Sequence, residues 1–242
     1  MNNLRCLIES SALTLRLDCR EMNRIPSVEL LIHAGHRRVP YATALAWMLS
    51  RANVVRGGGP EAVALLEHEA VYTLGARALR SSLRIAEADL PAPLVETDRG
   101  GDVTWHGPCQ LVAYPVLDLR ARGLRAGGYV RSLESVVIET LAAWGIEGGR
   151  VAGRPGVWVA GAKVAAVGVR LDRGVSRHGL ALNVAPDLAW FDAIVPCGIA
   201  DASVTSMARV LGEAPPLAAV AEAMATAFAR VFDLSLVEAV VA

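Results

Sequence analysis

The sequence predicts an α+β fold: a mixed, largely antiparallel sheet with packed helices. Three observations lead there. Residues 157–159, 163–171 and 178–184 are β-rich runs separated by Gly-containing turns, a pattern of antiparallel neighbours. Helical and strand patterns alternate elsewhere without a strict βαβ rhythm. The chain has 242 residues, 53% of them hydrophobic and 20% charged, which suits one large domain with a sizeable core.

Residues 1–24 show mixed polarity, no clear period and a second methionine, Met22. They read as an N-terminal extension, with a single catalytic domain over 25–242. Residues 28–33 form the first buried strand. A helix is predicted from Pro40, a residue favoured at a helix start, with Ala44, Trp47, Met48 and Val55 near helical spacing. The Gly-rich run from Arg56 to Pro60 ends it. Apolar runs predict strands at 62–67, 103–105 and 110–116. Residues 129–144 read as a helix with Val130, Leu133, Val137, Leu141 and Trp144 on one face, stopped by Gly145. After the three β-rich runs, the part from Ser203 onward is predicted helical. There residues 217–232 form an Ala-rich amphipathic helix behind Pro215-Pro216.

The formal net charge is zero, 24 basic against 24 acidic side chains, so bulk electrostatics predict neither nucleic-acid nor membrane binding. Cys6, Cys19, Cys109 and Cys197 lie far apart without CxxC spacing, which argues against a zinc site. Glu9, Arg16 and Asp18 interrupt any signal-like run, and no apolar stretch is long enough to span a bilayer. The expectation is a cytoplasmic protein with reduced thiols.

Three segments can carry chemistry. In Arg99-Gly100-Gly101-Asp102-Val103-Thr104-Trp105-His106-Gly107-Pro108-Cys109-Gln110, paired glycines let backbone approach a ligand, Arg99 can hold a carbonyl or phosphate, and His106 can donate a hydrogen bond or move a proton. Alone, the glycines fit a tight turn equally well. The second segment holds Lys163, the single lysine among the 24 basic residues. Arginine does not give up its proton; a lysine enclosed by an apolar strand can. A lysine snorkelling to water is the plainer alternative. In the third segment, Pro196-Cys197-Gly198, a thiol stands beside an open glycine. A buried inert cysteine is the usual case, and a nucleophile there needs a nearby cation or base.

Together the order RGGxxTxHGPxQ, GVWV…GAKVAAVGV, HGLALNV and IVPCGI resembles the octanoyltransferase family, also called lipoate–protein ligase B, over residues 40–207. The resemblance implies a fold similar to the biotin ligase and lipoate ligase catalytic domain. It implies transfer of an octanoyl or lipoyl group from acyl carrier protein to a lysine of lipoyl domains, those of 2-oxoacid dehydrogenases and the glycine cleavage H protein. No cofactor, metal or ATP is required. By the same resemblance Cys197 carries the acyl group as a thioester, and Lys163 lowers the pKa of that cysteine. Arg99, Gly100, Gly101, Asp102, Val103, Thr104, Trp105 and His106 match an acyl-substrate loop. Ala166, Val167 and Gly168 match a second binding stretch, and Gly179, Leu180 and Ala181 a third.

One position departs from the family pattern: Cys109 stands where glycine is usual. A positive φ there strains a residue with a Cβ by about 1–2 kcal/mol; an ordinary φ makes the change harmless. Cys109 with His106 is a rival nucleophile pair, ranked below Cys197. Rival activities are an ATP-dependent lipoate or biotin-type ligase, a thiol hydrolase using His106 or His178, and a non-catalytic acyl-binding relative.

Overall fold

The computed structural model describes residues 26–195 and 203–239. The proposed extension and Cys197 lie outside them. A main sheet, nine-stranded among the described residues, runs in the order β12-β1-β3-β7-β11-β10-β9-β8, with β2 added beside β3. Its strands are β1 (Ser27–Ile32), β2 (Arg38–Val39), β3 (Ala62–His68), β7 (Gln110–Val116), β8 (Gly149–Val151), β9 (Arg154–Val159), β10 (Ala162–Asp172), β11 (Val175–Asn183) and β12 (Ser235–Glu238). A smaller sheet holds β4 (Val71–Leu74), between β5 (Leu94–Glu96) and β6 (Val103–His106). The strands from β3 through β7, β11, β10 and β9 to β8 pair antiparallel, whereas β12, β1, β2 and β3 pair parallel. The mixed, largely antiparallel α+β architecture matches the sequence reading.

Strands β3 and β7 are buried along their whole length, which suits the apolar runs at 62–66 and 111–113, while Glu67, His68 and Gln110 are buried polar groups at their ends. Helices α2 (Ala126–Ala142) and α4 (Leu217–Phe232) pack together on one face of the sheet. Leu111, Ala113, Leu180 and Leu182 enter the same core there as Tyr129, Leu133, Val220 and Phe228. Helix α1 (Tyr41–Arg56) covers the opposite face with Ala44, Met48, Ala52 and Val55, against Val112, Tyr114 and Ala181.

The structure corrects three readings. Helix α2 begins at Ala126 rather than 129, and buries Tyr129 in place of the half-buried Val130. Pro40 caps α1 from outside, at φ −55° and ψ 139°. The chain after Ser203 is not helical throughout: Val204 bridges to Lys163, α3 (Met207–Leu211) and α4 follow, and β12 returns to extend the sheet edge. A four-residue strand has no periodicity to read; β12 exists because β1 offers it a partner.

Candidate active site

The alternation of β7 and β11 creates the site. Gln110, Val112 and Tyr114 of β7 share a face with Asn183, Ala181 and Gly179 of β11. Ala166 and Gly168 of β10 continue that face, paired with Ala181 and Gly179. Four of these side chains are methyl groups or hydrogens, so a cleft opens between the sheet and α1. Its walls are Tyr41 of α1, the Arg99–Thr104 stretch, His106, Tyr114 and His178. An adjoining hollow, sharing Thr104, Ala166 and Ala181, ends at Lys163, Gln110 and Asn183.

The three stretches named from the sequence therefore meet in one cleft. Val167 and Leu180 border it while also packing toward the opposite core. Trp105 does not join them. It is fully buried in a separate cluster, stacked on Trp190 at 5.4 Å and edge-on to Phe191.

Arg99 is 7% exposed and its guanidinium makes several hydrogen bonds within the fold. Nη2 donates to the Thr73 carbonyl at 2.6 Å and to Oγ1 at 2.8 Å, and Nη1 donates to the Gly100 carbonyl at 3.1 Å. Gly100 N donates to Val169 O at 2.9 Å, which ties this loop to β10. Gly168 is required beneath it, since a Cβ there would lie 2.8 Å from Gly100 O.

Lys163 is 5% exposed, at an irregularity where the pairing of β10 with β9 shifts register. Such a shift re-aims a side chain. Its Nζ lies 5.0 Å from the Trp158 ring centroid, within cation–π range. Its N donates to Ser203 O and its O accepts from Thr205 N. Thus Ser203, just after the undescribed 196–202, is fixed to Lys163; Val195, just before, donates to Ser82 O at 2.8 Å.

Sequence reasoning missed Asp98. It accepts from Arg177 at 2.6 Å and from His178 Nε2 at 2.8 Å, and pins His178 at the cleft wall at φ +58°. Burial works to raise the Asp98 pKa, but the bonds and charges of His178 and Arg177 hold it below the usual carboxylate value. Asp98 directly precedes the RGG run, and that adjacency was the available signal. His68 was missed as well. Its Nδ1 donates to Val39 O and its Nε2 accepts from Tyr114, and burial lowers its pKa to about 4. His106 is lowered to about 3 by burial, then by the neighbouring His68 and Arg99. His68 and His106 are therefore neutral at neutral pH.

Cys109 is exposed and sits at φ +61°, the strained one of the two alternatives that the sequence left open. Among the described residues, no cluster of His, Cys, Asp and Glu could hold a metal ion. No helix there is long and apolar enough to cross a membrane.

The chain matches the family described as lipoyl protein ligase A/B catalytic domain over residues 40–229. It is 47% identical to an octanoyltransferase of Chloroflexus aggregans, covering 86% of this chain and 96% of that one. An octanoyltransferase of Synechococcus elongatus is 44% identical, over 85% and 88%. Among solved structures, a bipartite lipoate protein ligase from Thermoplasma acidophilum shares the fold with a TM-score of 0.67 at 14% identity, over 90% and 88% of the two chains.

Proposed function

Because this chain belongs to the octanoyltransferases of the lipoyl protein ligase A/B catalytic-domain family, an acyltransferase family of protein lipoylation, we propose that it moves an octanoyl group from acyl carrier protein to a lysine of a lipoyl domain through a thioester on Cys197. The observation that carries this reading is a buried amine, Lys163, closing a cleft floored by alanine and glycine. Small apolar walls suit an alkyl chain, and one fixed polar group orients its reactive end.

The Cys197 thiolate attacks the donor thioester carbonyl; the carrier's thiolate leaves and takes up a proton. By the family resemblance Lys163 lowers the pKa of that cysteine, since a neighbouring cation favours a thiolate. The acceptor lysine's neutral amine then attacks the enzyme thioester. An amide forms, the C–S bond breaks, and the proton lost by the amine returns to Cys197 with Lys163 as carrier. Thioester-to-amide exchange needs no ATP. The acceptor is a lipoyl domain of a 2-oxoacid dehydrogenase or the glycine cleavage H protein. Residues 25–242 act as one catalytic domain, with 1–24 dispensable.

Intact mass after incubation with octanoyl-acyl carrier protein, followed by peptide mapping, tests this. One octanoyl adduct on Cys197 that is lost on adding acceptor is expected. An adduct on Cys109, or labelling of the acceptor that requires octanoate and ATP, would overturn it.

A further inference from the structure

We infer that Gln110 and Asn183 form an amide relay that locks His106 in its Nδ1–H tautomer, so that Nε2 is a fixed hydrogen-bond acceptor for an N–H donor in the cleft. The chain of logic starts at a backbone carbonyl, which can only accept. Thr205 O takes a hydrogen bond from Asn183 Nδ2 at 3.0 Å, so the other amide atom, Oδ1, faces Gln110. Asn183 Oδ1 can only accept, so it is Gln110 Nε2 that donates to it, at 2.9 Å. A second carbonyl, Trp105 O at 3.3 Å, fixes the same orientation. Gln110 Oε1 is thereby turned to His106 Nδ1 at 2.8 Å, and Nδ1 must carry the hydrogen. Nε2 is left with the lone pair on a ring that lines the cleft, and among the described residues it makes no hydrogen bond.

Gln110 and Asn183 are 2% and 4% exposed. Buried primary amides without partners cost stability, and a leucine–valine pair would fill the same strands without that risk. Their placement does two things at once. Thr205 O belongs to the residue whose N donates to Lys163 O, so the relay joins the Lys163 strand to the His106 ring. It also makes His106 an acceptor, where the sequence offered a hydrogen-bond donor or a group that moves a proton. Burial is the main cause that keeps the ring neutral, ahead of the groups that face it, His68 from β3, Arg99 ahead of β6 and His178 from β11, while the Gln110 hydrogen bond opposes them; Tyr41 of α1 stacks on the ring at 6.5 Å. A lone pair held there favours a substrate amine or amide N–H and repels a carboxylate oxygen. On the acyl-transfer reading above, on which this last step rests, the donor is a substrate N–H. Gln110 and Asn183 are positioning residues.

Long-range 1H–15N correlation spectra of the 15N-labelled full chain test the inference, with His106→Gln used for assignment. At pH 7.5 the expected pattern is a protonated Nδ1 and a pyridine-type Nε2. The opposite tautomer, an even mixture or an imidazolium in the wild type would overturn the relay without any variant. In Gln110→Met, checked for folding by circular dichroism, the tautomer preference is lost and octanoyl transfer falls about tenfold. Altered tautomer with unchanged transfer would overturn the acceptor role. Absence of transfer in the wild type, with the Nδ1–H tautomer present, would instead remove the acyl-transfer reading and leave the relay standing.

Discussion

On the face of the main sheet covered by α2 and α4, β7 and β11 present Leu111, Ala113, Leu180 and Leu182; on the face covered by α1, the same strands present Gln110, Val112, Tyr114, Gly179, Ala181 and Asn183. The first set interdigitates with two helices. The second leaves a floor of small residues edged by buried polar groups. From Asn183 to Gly179 the floor runs about 13 Å at the rise of a strand. One pair of strands therefore carries both the stability of the fold and the space for a ligand, separated by nothing more than side-chain alternation. A one-residue slip of β11 would exchange the two.

Exchanging charge chemistry on the cleft face should have the largest effect. Lys163→Arg keeps a cation but removes one that can release its proton. Transfer to the acceptor lysine is expected to fall about 10²–10⁴-fold, while some acyl-enzyme still forms. Single-turnover measurement of the two half-reactions decides it. Near-normal rates in both, with a folded protein, would leave Lys163 an electrostatic role alone.

A matched pair of substitutions probes the two faces directly. Leu182→Ala, on the packed face, should destabilise by about 2–5 kcal/mol in urea unfolding, with the activity of the folded fraction kept. Ala166→Leu, in the cleft, should cost little stability. Octanoyl transfer by it should drop by roughly 10–200-fold for each methylene the donor can no longer seat. Loss of stability without loss of transfer in Ala166→Leu would mean that the cleft is not the acyl slot.

The faces should also differ in their response to acid. His68 and His106 are buried neutral in the folded state, at about 4 and about 3, against an ordinary value of 6.5. Between these values and 6.5 the unfolded chain binds more protons, so stability rises with pH. The contribution is complete above about pH 6.5 and is lost as pH falls toward 4, by no more than about 1.4 kcal/mol per pH unit for each histidine. His68→Gln should flatten the dependence of the urea midpoint on pH. Leu182→Ala should lower the whole curve and leave its slope unchanged.

The packed face was the more legible one. Residues 110–116 and 217–232 were placed in the sequence with the bounds they have in the structure, because continuous apolar runs and a Pro-Pro stop carry their own signal. Strands β4 and β12 were not seen. Each is four residues long and owes its existence to a partner far along the chain. On the cleft face the three motif stretches were legible as chemistry, and the fold brings them together. What stayed hidden were residues whose meaning lies in a contact: Asp98 with Arg177 and His178, and Gln110 with Asn183. Trp105 was hidden in the other sense. It sits inside a motif, yet alternation turns it into a core that the motif does not announce.

The smallest expected effect lies at the edge of the cleft face. Cys109 starts the turn into β7 at φ +61°, with its N donating to Glu67 Oε1 at 2.8 Å and its O accepting from Ala185 N at 3.0 Å. Both backbone bonds survive replacement by glycine, and the exposed side chain gives up little packing. Removing the Cβ relieves about 1–2 kcal/mol of left-handed strain. The added freedom of glycine in the unfolded chain takes back about 0.4–1 kcal/mol. Cys109→Gly should therefore stabilise by about 0–1.6 kcal/mol, a rise of at most about 3–6 °C in Tm for a domain of this size. Octanoyl transfer should be unchanged, because the thiol lies outside the cleft lining. A thermal melt and an acyl-enzyme mass spectrum check both halves. A lower Tm would mean that the turn tolerates its cysteine through contacts that offset the strain. Loss of the acyl-enzyme would make Cys109, with His106, the nucleophile in place of Cys197.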